Sequence, residues 1–366
     1  MNNLKIFKNS RVVVTGHTGF KGSWLTAWLK LLGANVMGIS LNPPTNPSHF
    51  KSSKINSGIK DIRLDIRDKK KIEKKILSFK PKFVFHLAAQ SLVGSSYENP
   101  SLTWETNVIG TLNILETVKK LKNNCNVVII TSDKCYFNKE VHYGYKETDT
   151  LGGKDPYSGS KASAEILFNS YINSFFKKKN KIRIATARAG NVIGGGDWAK
   201  DRIIPDCVRS WSKNKKTELR NPNSTRPWQH VLEAISGYLC LAINLKNNKK
   251  IHGESFNFGP DLSKEYSVIE LVKEMGSHWD NVKWKKISKT KQKFSESALL
   301  RLNCNKAKRI LNWKSVLKFK ETVEMVANWY VDFYTKSTNV SLVTNVQIKK
   351  YQSLANKRGL KWAKTS

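Results

Sequence analysis

Short apolar segments alternate with longer amphipathic stretches over the first 190 residues. The amphipathic stretches have helical spacing and lie at 24–32, 103–120 and 160–176. The apolar segments have the length of buried strands and lie at 11–15, 35–40, 82–87, 126–131 and 181–188. Strands that alternate with helices form a parallel sheet through right-handed crossovers, with helices on both faces. We therefore predict an α/β fold built on a doubly wound parallel sheet.

The pattern changes after residue 188. Glycines cluster over 190–196, and 254–259 has the pattern of one further strand that we expect to return to the main sheet. Helical spacing reappears at 268–275, 306–311 and 322–334, and all ten prolines lie at or before Pro260. The predicted organisation is as follows: a sheet domain over 1–190, with 231–259 returning to it; a smaller, mostly helical lobe over 191–230 and 260–336; and a basic tail over 337–366, either frayed or in an oligomer contact.

The chain is strongly basic, with 64 Lys and Arg against 28 Asp and Glu and a formal net charge of +36. Only 12 of these cations are Arg, and the 52 Lys are dispersed over the whole chain. Nucleic-acid sites favour clustered charge with Arg and aromatic platforms. Dispersed Lys therefore favours a solvated surface over a specific nucleic-acid site.

Composition also excludes several protein classes. Hydrophobic residues make up 39% of the chain, which excludes a disordered protein. No apolar run approaches the roughly 20 residues of a bilayer-spanning helix, and the N-terminus lacks the apolar centre of a secretory signal. The five cysteines form no C-x-x-C pair, which indicates reduced thiols. We expect a cytoplasmic protein without a metal site.

Three glycines follow the first predicted strand at a spacing of three residues, in the segment 16–22 (GHTGFKG). The first glycine permits a tight turn, the second lets a pyrophosphate approach the backbone, and the third allows close packing of helix on sheet. The N-terminus of the helix then attracts the anion. A purely structural turn is the alternative, but the position after the first strand of an α/β pattern favours a dinucleotide site.

The second predicted strand decides which dinucleotide is expected. A carboxylate at its end would bind the ribose hydroxyls of NAD, whereas an Arg would bind the 2′-phosphate of NADP. The strand ends at Ser40 with neither group beside it, so we predict NAD with loose recognition of the ribose. Asp65, at the end of an expected third strand, has the position of an adenine contact or of a turn carboxylate.

Tyr157 and Lys161 have the Y-x-x-x-K spacing at the predicted start of a helix. Residues four apart share a helix face, so the Lys161 ammonium can lie near the Tyr157 phenol and lower its pKa. Such a tyrosine can act as a base near neutral pH. Ser132, at the end of a predicted strand, lies between the glycine loop and this pair in the sequence.

These segments resemble the extended short-chain dehydrogenase/reductase family of nucleotide-sugar enzymes, and within it the 4,6-dehydratases that act on CDP-glucose. The most specific segments are TSDKCY at 131–136, ARAGNVIGGGDWA at 187–199 and RPWQHVLE at 226–233. Others are HLAAQ at 86–90, TNVIGT at 106–111, GGKDPYSGSKA at 152–162 and DRIIPD at 201–206. They stand in family order and cover about two thirds of the chain. The resemblance implies a Rossmann domain that binds NAD, a lobe that binds CDP-glucose, and a homodimer or higher homo-oligomer.

The resemblance also implies roles for individual residues. Tyr157, aided by Ser132, would take the proton of the sugar 4-hydroxyl, and Lys161 would bind the nicotinamide ribose. Asp133 would protonate the departing 6-hydroxyl and Lys134 would remove the C5 proton. The implied cofactor contacts are Gly16, His17, Thr18, Gly19, Phe20, Lys21, Gly22, Asp65, Ile66, Leu87, Ala88, Ala89, Asn107, Tyr157 and Lys161. The implied substrate contacts are Gln90, Ser132, Asn191, Arg202, Arg220 and Arg226.

Several interpretations stay open at the level of sequence. Lys134 could pair with Asp133 instead of acting as a base, because related dTDP-glucose dehydratases carry Asp-Glu here. Arg188, with the three substrate arginines, falls near the expected diphosphate, and Trp198 and Trp228 could flank the base. The family usually has Arg where this chain has Gly94. Alternative functions are a dTDP- or GDP-sugar dehydratase, a nucleotide-sugar epimerase, a dehydrogenase-like RNA-binding protein or an inactive scaffold.

Overall fold

The centre of the structure, a computed structural model, is a seven-stranded parallel sheet with the strand order β11-β6-β5-β4-β1-β2-β3. The structure describes residues 3–141, 143–177, 181–261, 265–280, 282–286, 299–336 and 339–364. The strands of this sheet are β1 (Arg11–Thr15), β2 (Asn35–Ser40), β3 (Lys60–Arg63), β4 (Phe83–His86), β5 (Cys125–Ile130), β6 (Ile182–Ala189) and β11 (Ser255–Phe258). The predicted doubly wound α/β class is confirmed, and β11 comes from the stretch expected to return to the sheet.

Helices cover both faces of this sheet. The α-helices of the described residues, on the sheet and beyond it, are α1 (Phe20–Leu31), α2 (His49–Ser52), α3 (Lys69–Phe79), α4 (Val93–Glu98), α5 (Pro100–Trp104), α6 (Gly110–Lys119), α7 (Pro156–Tyr171), α8 (Ile203–Trp211), α9 (Val231–Asn247), α10 (Val268–Gly276), α11 (Phe319–Tyr334) and α12 (Val340–Lys357). Across the described ranges, no helix combines the length and hydrophobicity needed to cross a lipid bilayer.

The strands are apolar because both faces of the sheet are covered. All six residues of β5 and four of the five residues of β1 are buried. One face of the sheet packs with apolar side chains of α1, α9, α11 and α12, and the other packs with those of α3, α6 and α7. The central sheet therefore lies between two apolar cores.

The strand order reverses between β1 and β4, which lie side by side in the sheet. In doubly wound sheets the crevice at such a point, beyond the carboxyl ends of the strands, is where ligands bind. The glycine loop follows β1 and the segment 87–90 follows β4. Both predicted binding segments therefore begin at this crevice.

Short strand pairs and several helices after β6 lie outside the seven-stranded sheet, in the stretches predicted to form a second lobe, and they are called the second lobe below. The antiparallel pair is β9 (Thr225–Arg226) with β12 (Tyr266–Ser267). Two parallel pairs are β8 (Thr217–Leu219) with β13 (Trp284–Lys286), and β7 (Val192–Ile193) with β10 (Gln229–His230). Helix α10 packs against α8 and α11.

The stretches predicted as continuous helices are interrupted by π turns. The predicted helix 103–120 is divided into α5, the π turn Glu105–Ile109 and α6, while Ile172–Phe176 and Ala307–Leu311 are also π turns. The first of these turns precedes Gly110, where a Cβ would lie 2.4 Å from Ile66 Cδ1. Close packing of this kind is a tertiary property that helical spacing does not reveal.

The expectation of a frayed tail over 337–366 is wrong for the described part of that range; residues 337, 338, 365 and 366 lie outside the described residues. Helix α12 packs against α1 and α11 and buries Ile348, Tyr351 and Ala355. The Trp329 indole donates a hydrogen bond to Thr344 Oγ1 at 3.0 Å. The buried face of α12 also contains Thr344 and Gln347, and these polar residues obscure the amphipathic pattern.

Candidate active site

The glycine loop joins β1 to α1 and passes close to the backbone that follows β4. Gly16 has φ +76°, and a Cβ at this position would lie 2.7 Å from the backbone nitrogen of Ala88. A Cβ on Gly22 would lie 2.0 Å from the Gly16 carbonyl oxygen. Helix α1 starts at Phe20 after Gly19, which offers no side chain to cap the first amides. Uncapped amides at the positive end of a helix dipole fit the pyrophosphate of a dinucleotide.

His17 lies over the second and third strands. Its Nε2 is 2.8 Å from Asp61 Oδ1, and its ring is so close to Gly38 that a Cβ there would lie 2.3 Å from it. Burial lowers the pKa of His17, although its hydrogen bond to Asp61 acts in the opposite direction. His17 is fully buried, and its contacts with Asp61 and Gly38 hold the glycine loop against β2 and β3.

Thr18 lies at the end of β2, with its Oγ1 2.8 Å from Ser40 Oγ. The prediction that no arginine stands beside this strand end is wrong. Arg63, on the neighbouring β3, is the register partner of Ser40, and its Nη1 donates to the Leu41 carbonyl at 3.2 Å. Arg63 cannot be identified from β2 alone, because only the pairing of the two strands brings β3 alongside.

Asp65 and Ile66 follow β3 at the same edge of the sheet. The Arg67 guanidinium donates to Asp65 Oδ2 at 2.8 Å, and these hydrogen bonds lower the pKa of Asp65. Ile66 is buried, and its carbonyl accepts a hydrogen bond from Asn113 Nδ2 at 3.0 Å. Both residues lie at the end of the crevice where the adenine is predicted to bind.

The segment after β4 is tied to the helix that carries Tyr157. Leu87, Ala88 and Ala89 follow β4, and the Ala88 N–H donates to Thr15 Oγ1 at 3.2 Å. Asn107 accepts from the Gln90 N–H at 2.8 Å and donates from Nδ2 to Ser160 Oγ at 2.8 Å. The side chain of Gln90 bonds to Leu92 two residues on and to Thr103 of α5. Gly94, where the family usually has Arg, lies in α4.

Ser132 caps a short 3₁₀ turn, Asp133–Cys135, that follows β5. The Ser132 hydroxyl donates to Asp133 Oδ1 at 2.8 Å and accepts from the Lys134 N–H at 3.3 Å. Burial raises the pKa of Asp133, against the opposing effects of the Lys134 charge and the Ser132 hydrogen bond. A carboxyl group with a raised pKa retains its proton more readily and can act as an acid.

Tyr157 and Lys161 lie in the first two turns of α7, and both are buried. Burial raises the pKa of Tyr157 to about 12, although a hydrogen bond with Ser132 and the charge of Arg202 lower it. Burial therefore dominates in this structure, and the net shift is opposite in direction to the one that the Y-x-x-x-K spacing predicts. Burial and the nearby Lys21 charge lower the pKa of Lys161 to about 8.

Arg188 is part of the scaffold and not a diphosphate contact. It is 2% exposed, lies on β6 and forms an ion pair with Glu165 of α7 at 2.8 Å. Glu165 also accepts hydrogen bonds from Thr131 and Thr186. These bonds fix α7 against β5 and β6, and so they fix the position of Tyr157. Glu165 belongs to no motif that its local spacing reveals, so its role is not predictable from the sequence.

Arg202 is brought to the catalytic groups by Asp197. Its Nη1 donates to Asp197 Oδ2 at 2.7 Å, and Asp197 Oδ1 also accepts from the Ala199 N–H, which makes it both a turn cap and an ion-pair partner. Lys21 lies near this pair and near Asp133, and burial with the Arg202 charge lowers its pKa to about 8. The candidate site is therefore rich in cations at the end facing the second lobe.

The remaining predicted substrate residues lie at separate points of the second lobe. Arg220 donates to Asp201 at 3.1 Å, and both side chains are largely exposed. Arg226 lies on β9 and donates to the Thr225 carbonyl at 2.8 Å, while Asn191 is exposed between β6 and β7. Their roles in binding stay predictions.

The two tryptophans proposed to flank the base differ in their surroundings. Trp198 is buried against Trp329, Tyr330 and Phe333, so it is a core residue. Trp228 is half-buried, and its indole donates to the Tyr266 carbonyl at 3.0 Å. Trp228 alone keeps a surface that a base could contact.

All five cysteines are free thiols. Among the residues that the structure describes, no group of three or more His, Cys, Asp or Glu side chains is arranged to hold a metal ion.

Comparisons with known proteins agree with this geometry. A family model described as GDP-mannose 4,6 dehydratase matches residues 13–326. The CDP-glucose 4,6-dehydratase of Salmonella typhimurium is 44% identical over 352 residues, which cover 95% of this chain and 97% of that protein.

Solved structures show the same fold at lower identity. An epimerase of Methanothermobacter thermautotrophicus has a TM-score of 0.77 and 22% identity, covering 92% of this chain and 97% of its own. The dTDP-glucose 4,6-dehydratase of Bacillus anthracis, solved in complex with NAD, has a TM-score of 0.69 and 21% identity, covering 90% and 99%. With the family model matching most of the chain and a relative of 44% identity, this chain belongs to the GDP-mannose 4,6-dehydratase family.

Proposed function

We propose that this chain converts CDP-D-glucose to CDP-4-keto-6-deoxy-D-glucose with NAD as its cofactor. The observation that carries the proposal is the Ser132-Asp133-Lys134 turn, in which a buried carboxyl group with a raised pKa lies beside Ser132 and Tyr157. A dehydratase needs an acid at this point, and an epimerase does not. The 44% identity to a CDP-glucose 4,6-dehydratase supports the choice of substrate.

The glycine loop and the edge of the sheet would hold the dinucleotide. Gly16 and Gly22 let the loop pack on the backbone after β4 and on itself, where a Cβ would clash, and the first amides of α1 would bind the pyrophosphate. Lys161 would hold the nicotinamide ribose next to Tyr157. NAD, when bound, would accept hydride from C4 of the sugar and return it to C6.

Tyr157 would act first, as the base for the 4-hydroxyl group of the sugar. Its pKa of about 12 makes the phenolate costly, so the cations around it matter. Arg202 lowers the Tyr157 pKa from the side of the second lobe, and Ser132 does so by its hydrogen bond. Ser132 would also orient the 4-hydroxyl toward the phenol oxygen.

Lys134 and Asp133 would then remove water across C5 and C6. The new 4-ketone makes the C5 hydrogen acidic, and the Lys134 amine would take that proton. Asp133 would give its proton to the 6-hydroxyl group, which leaves as water while the C5–C6 double bond forms. Proton transfer by positioned groups typically contributes about 10²–10⁴-fold each to the rate. When C6 has received its hydride, the Lys134 ammonium would return its proton to C5. The proton that Tyr157 took from the 4-hydroxyl group would replace, through solvent, the one that Asp133 gave up, so the net change is one molecule of water lost per sugar.

The second lobe would bind the nucleotide diphosphate. A guanidinium fork binds phosphate oxygens bidentately, so Arg226 and Arg202 are the proposed contacts, with Arg220, Asn191 and Gln90 at the margin. Arg202 would act at the sugar end, because its charge already reaches Tyr157.

A homodimer is the proposed assembly, with α5 and α7 at its interface. Leu102, Trp104, Ile109, Ile166 and Phe175 lie on or next to these helices, and each has more than a third of its surface exposed. Apolar faces of this kind mark protein interfaces. Light scattering should give twice the chain mass, and Ile166→Glu should lower it to one chain. A wild-type monomer would contradict the assembly.

The free thiols favour a cytoplasmic location.

Incubation with NAD and each of CDP-, dTDP-, UDP- and GDP-glucose tests the function. We expect the alkaline absorbance of a 4-keto sugar with CDP-glucose and little with the others. Turnover of dTDP- or GDP-glucose instead would assign another dehydratase, and a 4-epimer without ketone would assign an epimerase. Salt-dependent RNA binding without turnover would contradict an enzyme of either kind.

A further inference from the structure

The end of β2 and the neighbouring β3 present their side chains to the glycine loop in register. Gly38 pairs with Asp61 and Ser40 pairs with Arg63, and residues two apart on a strand share one face. His17 of the loop lies over the first pair, with its Nε2 2.8 Å from Asp61. Arg63 therefore lies on the same face of the sheet as the loop, two residues beyond Asp61 on β3.

Thr18, the next residue of the loop, lies at the second of these pairs. Its hydroxyl is 2.8 Å from Ser40 Oγ and donates to the Leu41 carbonyl at 3.0 Å. Arg63 Nη1 donates to the same carbonyl at 3.2 Å. The guanidinium and the two hydroxyl groups thus meet at the end of β2, where a doubly wound sheet binds the adenosine ribose.

The carboxylate at this place already has partners for both of its oxygens. Asp61 Oδ1 is 2.8 Å from His17 Nε2, and Oδ2 accepts from Arg63 Nη2 at 2.8 Å. A site selective for NAD uses a carboxylate that accepts from the ribose hydroxyl and repels a phosphate. Asp61 faces inward toward the histidine and the arginine, so that repulsive element is weakened.

Arg63 keeps capacity for a further anion. Its two described hydrogen bonds use two of the five N–H groups of a guanidinium, and its side chain is 36% exposed. The guanidinium carbon lies 4.9 Å from the centre of the Phe50 ring, which restricts its position. A restricted fork of this kind suits a phosphate.

We infer that Arg63, with the hydroxyl groups of Thr18 and Ser40, forms a site for the 2′-phosphate of NADP. The chain would then bind both NAD and NADP at the dinucleotide site. This inference rests on the proposed placement of the dinucleotide. NAD stays the cofactor, and a specific contact replaces only the expectation of loose ribose recognition.

Binding of adenosine fragments to protein freed of nucleotide tests the site without catalysis. In isothermal titration, 2′,5′-ADP should bind about tenfold or more tightly than 5′-AMP, and NADP should bind at least as tightly as NAD. Fragments of equal affinity, or NADP bound about tenfold more weakly than NAD, would overturn the inference.

Two variants separate local recognition from the general positive field. Arg63→Ser should weaken 2′,5′-ADP about tenfold and leave 5′-AMP within about threefold. Lys51→Ser removes one charge from an exposed neighbour of Phe50 and should change neither fragment by more than about twofold. Equal weakening of both fragments by Arg63→Ser would assign it a structural role, and equal effects of both variants would assign non-specific attraction.

These results are distinct from the test of the proposed function. Failure to turn over CDP-glucose would leave the ratio of fragment affinities unaffected. Conversely, a chain that dehydrates CDP-glucose yet rejects NADP would retain its proposed function and lose this site. Absence of binding by every dinucleotide and fragment would overturn the inference together with the placement of the cofactor.

Discussion

Asp133 and Lys134 are adjacent in sequence, yet the proposed mechanism gives them opposite proton transfers. Asp133 is buried and its pKa is raised, which suits an acid, whereas Lys134 is only half-buried. In the part of the chain that the structure describes, the Lys134 ammonium forms no ion pair with Asp133. The Lys134 charge nevertheless acts on the pKa of Asp133, so both the base and the pairing role stay predictions that the following variant separates.

Replacement of Lys134 by Met should separate the two halves of the reaction. Exchange of the C5 hydrogen with deuterated solvent, followed by NMR, should fall about 10²-fold or more because the base is lost. Oxidation at C4 should persist, because Tyr157, Ser132 and Lys161 are intact. Lys139→Met, at an exposed lysine of the same loop, is the control and should leave exchange unchanged. Unchanged exchange in Lys134→Met would assign the base to water or another group.

At the scale of elements, the turn between β1 and α1 is built around close backbone contacts. Gly22 touches the Gly16 carbonyl, whereas Gly19 has more room, with a Cβ there 3.3 Å from the same oxygen. The two glycines stand three residues apart in one motif, yet they meet different steric limits. The motif spacing alone does not distinguish them.

Gly22→Ala should therefore lower the free energy of unfolding by about 3 kcal/mol or more, because a Cβ 2.0 Å from backbone oxygen forces the helix away from the strand. Gly19→Ala should cost about 1 kcal/mol or less. Urea unfolding of both variants measures the difference. Equal losses would show that the contact between Gly22 and Gly16 does not limit the turn.

Elements buried on both faces could be predicted from the sequence. The runs at 126–131 and 254–259 correspond to Cys125–Ile130 and Ser255–Phe258, because parallel strands between two helix layers are continuously apolar. The glycine loop and the Tyr157 helix were also predicted, since their chemistry is local in sequence. Both features depend on neighbours within about one helical turn.

Features that depend on distant partners could not be predicted. Arg63 acts beside Ser40 only because β2 and β3 pair in register, and Arg188 is neutralised by Glu165 from another element. The tail over 337–366 has a weak pattern, yet α12 packs on α1 and α11. In each case the information lies in the pairing of elements and not in the local spacing.

At the scale of the whole molecule, three buried histidines connect stability to pH. Burial lowers the pKa values of His49, His86 and His230 to about 3. Below pH 6.5 the unfolded chain takes up protons at these residues and the folded chain does not. The free energy of unfolding therefore decreases as the pH is lowered. Glu233 acts in the opposite direction, because burial raises its pKa to about 7 and the folded chain retains its proton.

Taken alone, these three histidines and Glu233 differ by about two protons between the unfolded and folded chain, which contributes a loss of about 3 kcal/mol per pH unit between pH 6 and 5. The lowered pKa of buried His17 acts in the same direction as the histidines, and the raised pKa of Asp133 acts with Glu233. Urea unfolding across this range measures the slope. His49→Gln should reduce the slope by about one proton, because glutamine does not titrate. A stability that is constant or rises on acidification would contradict the neutral burial of these histidines.

The most direct test of the proposed dehydration follows the hydrogen on C4 of the sugar. CDP-D-glucose carrying deuterium at C4 would be incubated with the protein and NAD, and the product examined by NMR. The mechanism predicts a 4-keto-6-deoxy sugar with the deuterium in the C6 methyl group. Deuterium retained at C4, with either configuration, would contradict the proposed dehydration.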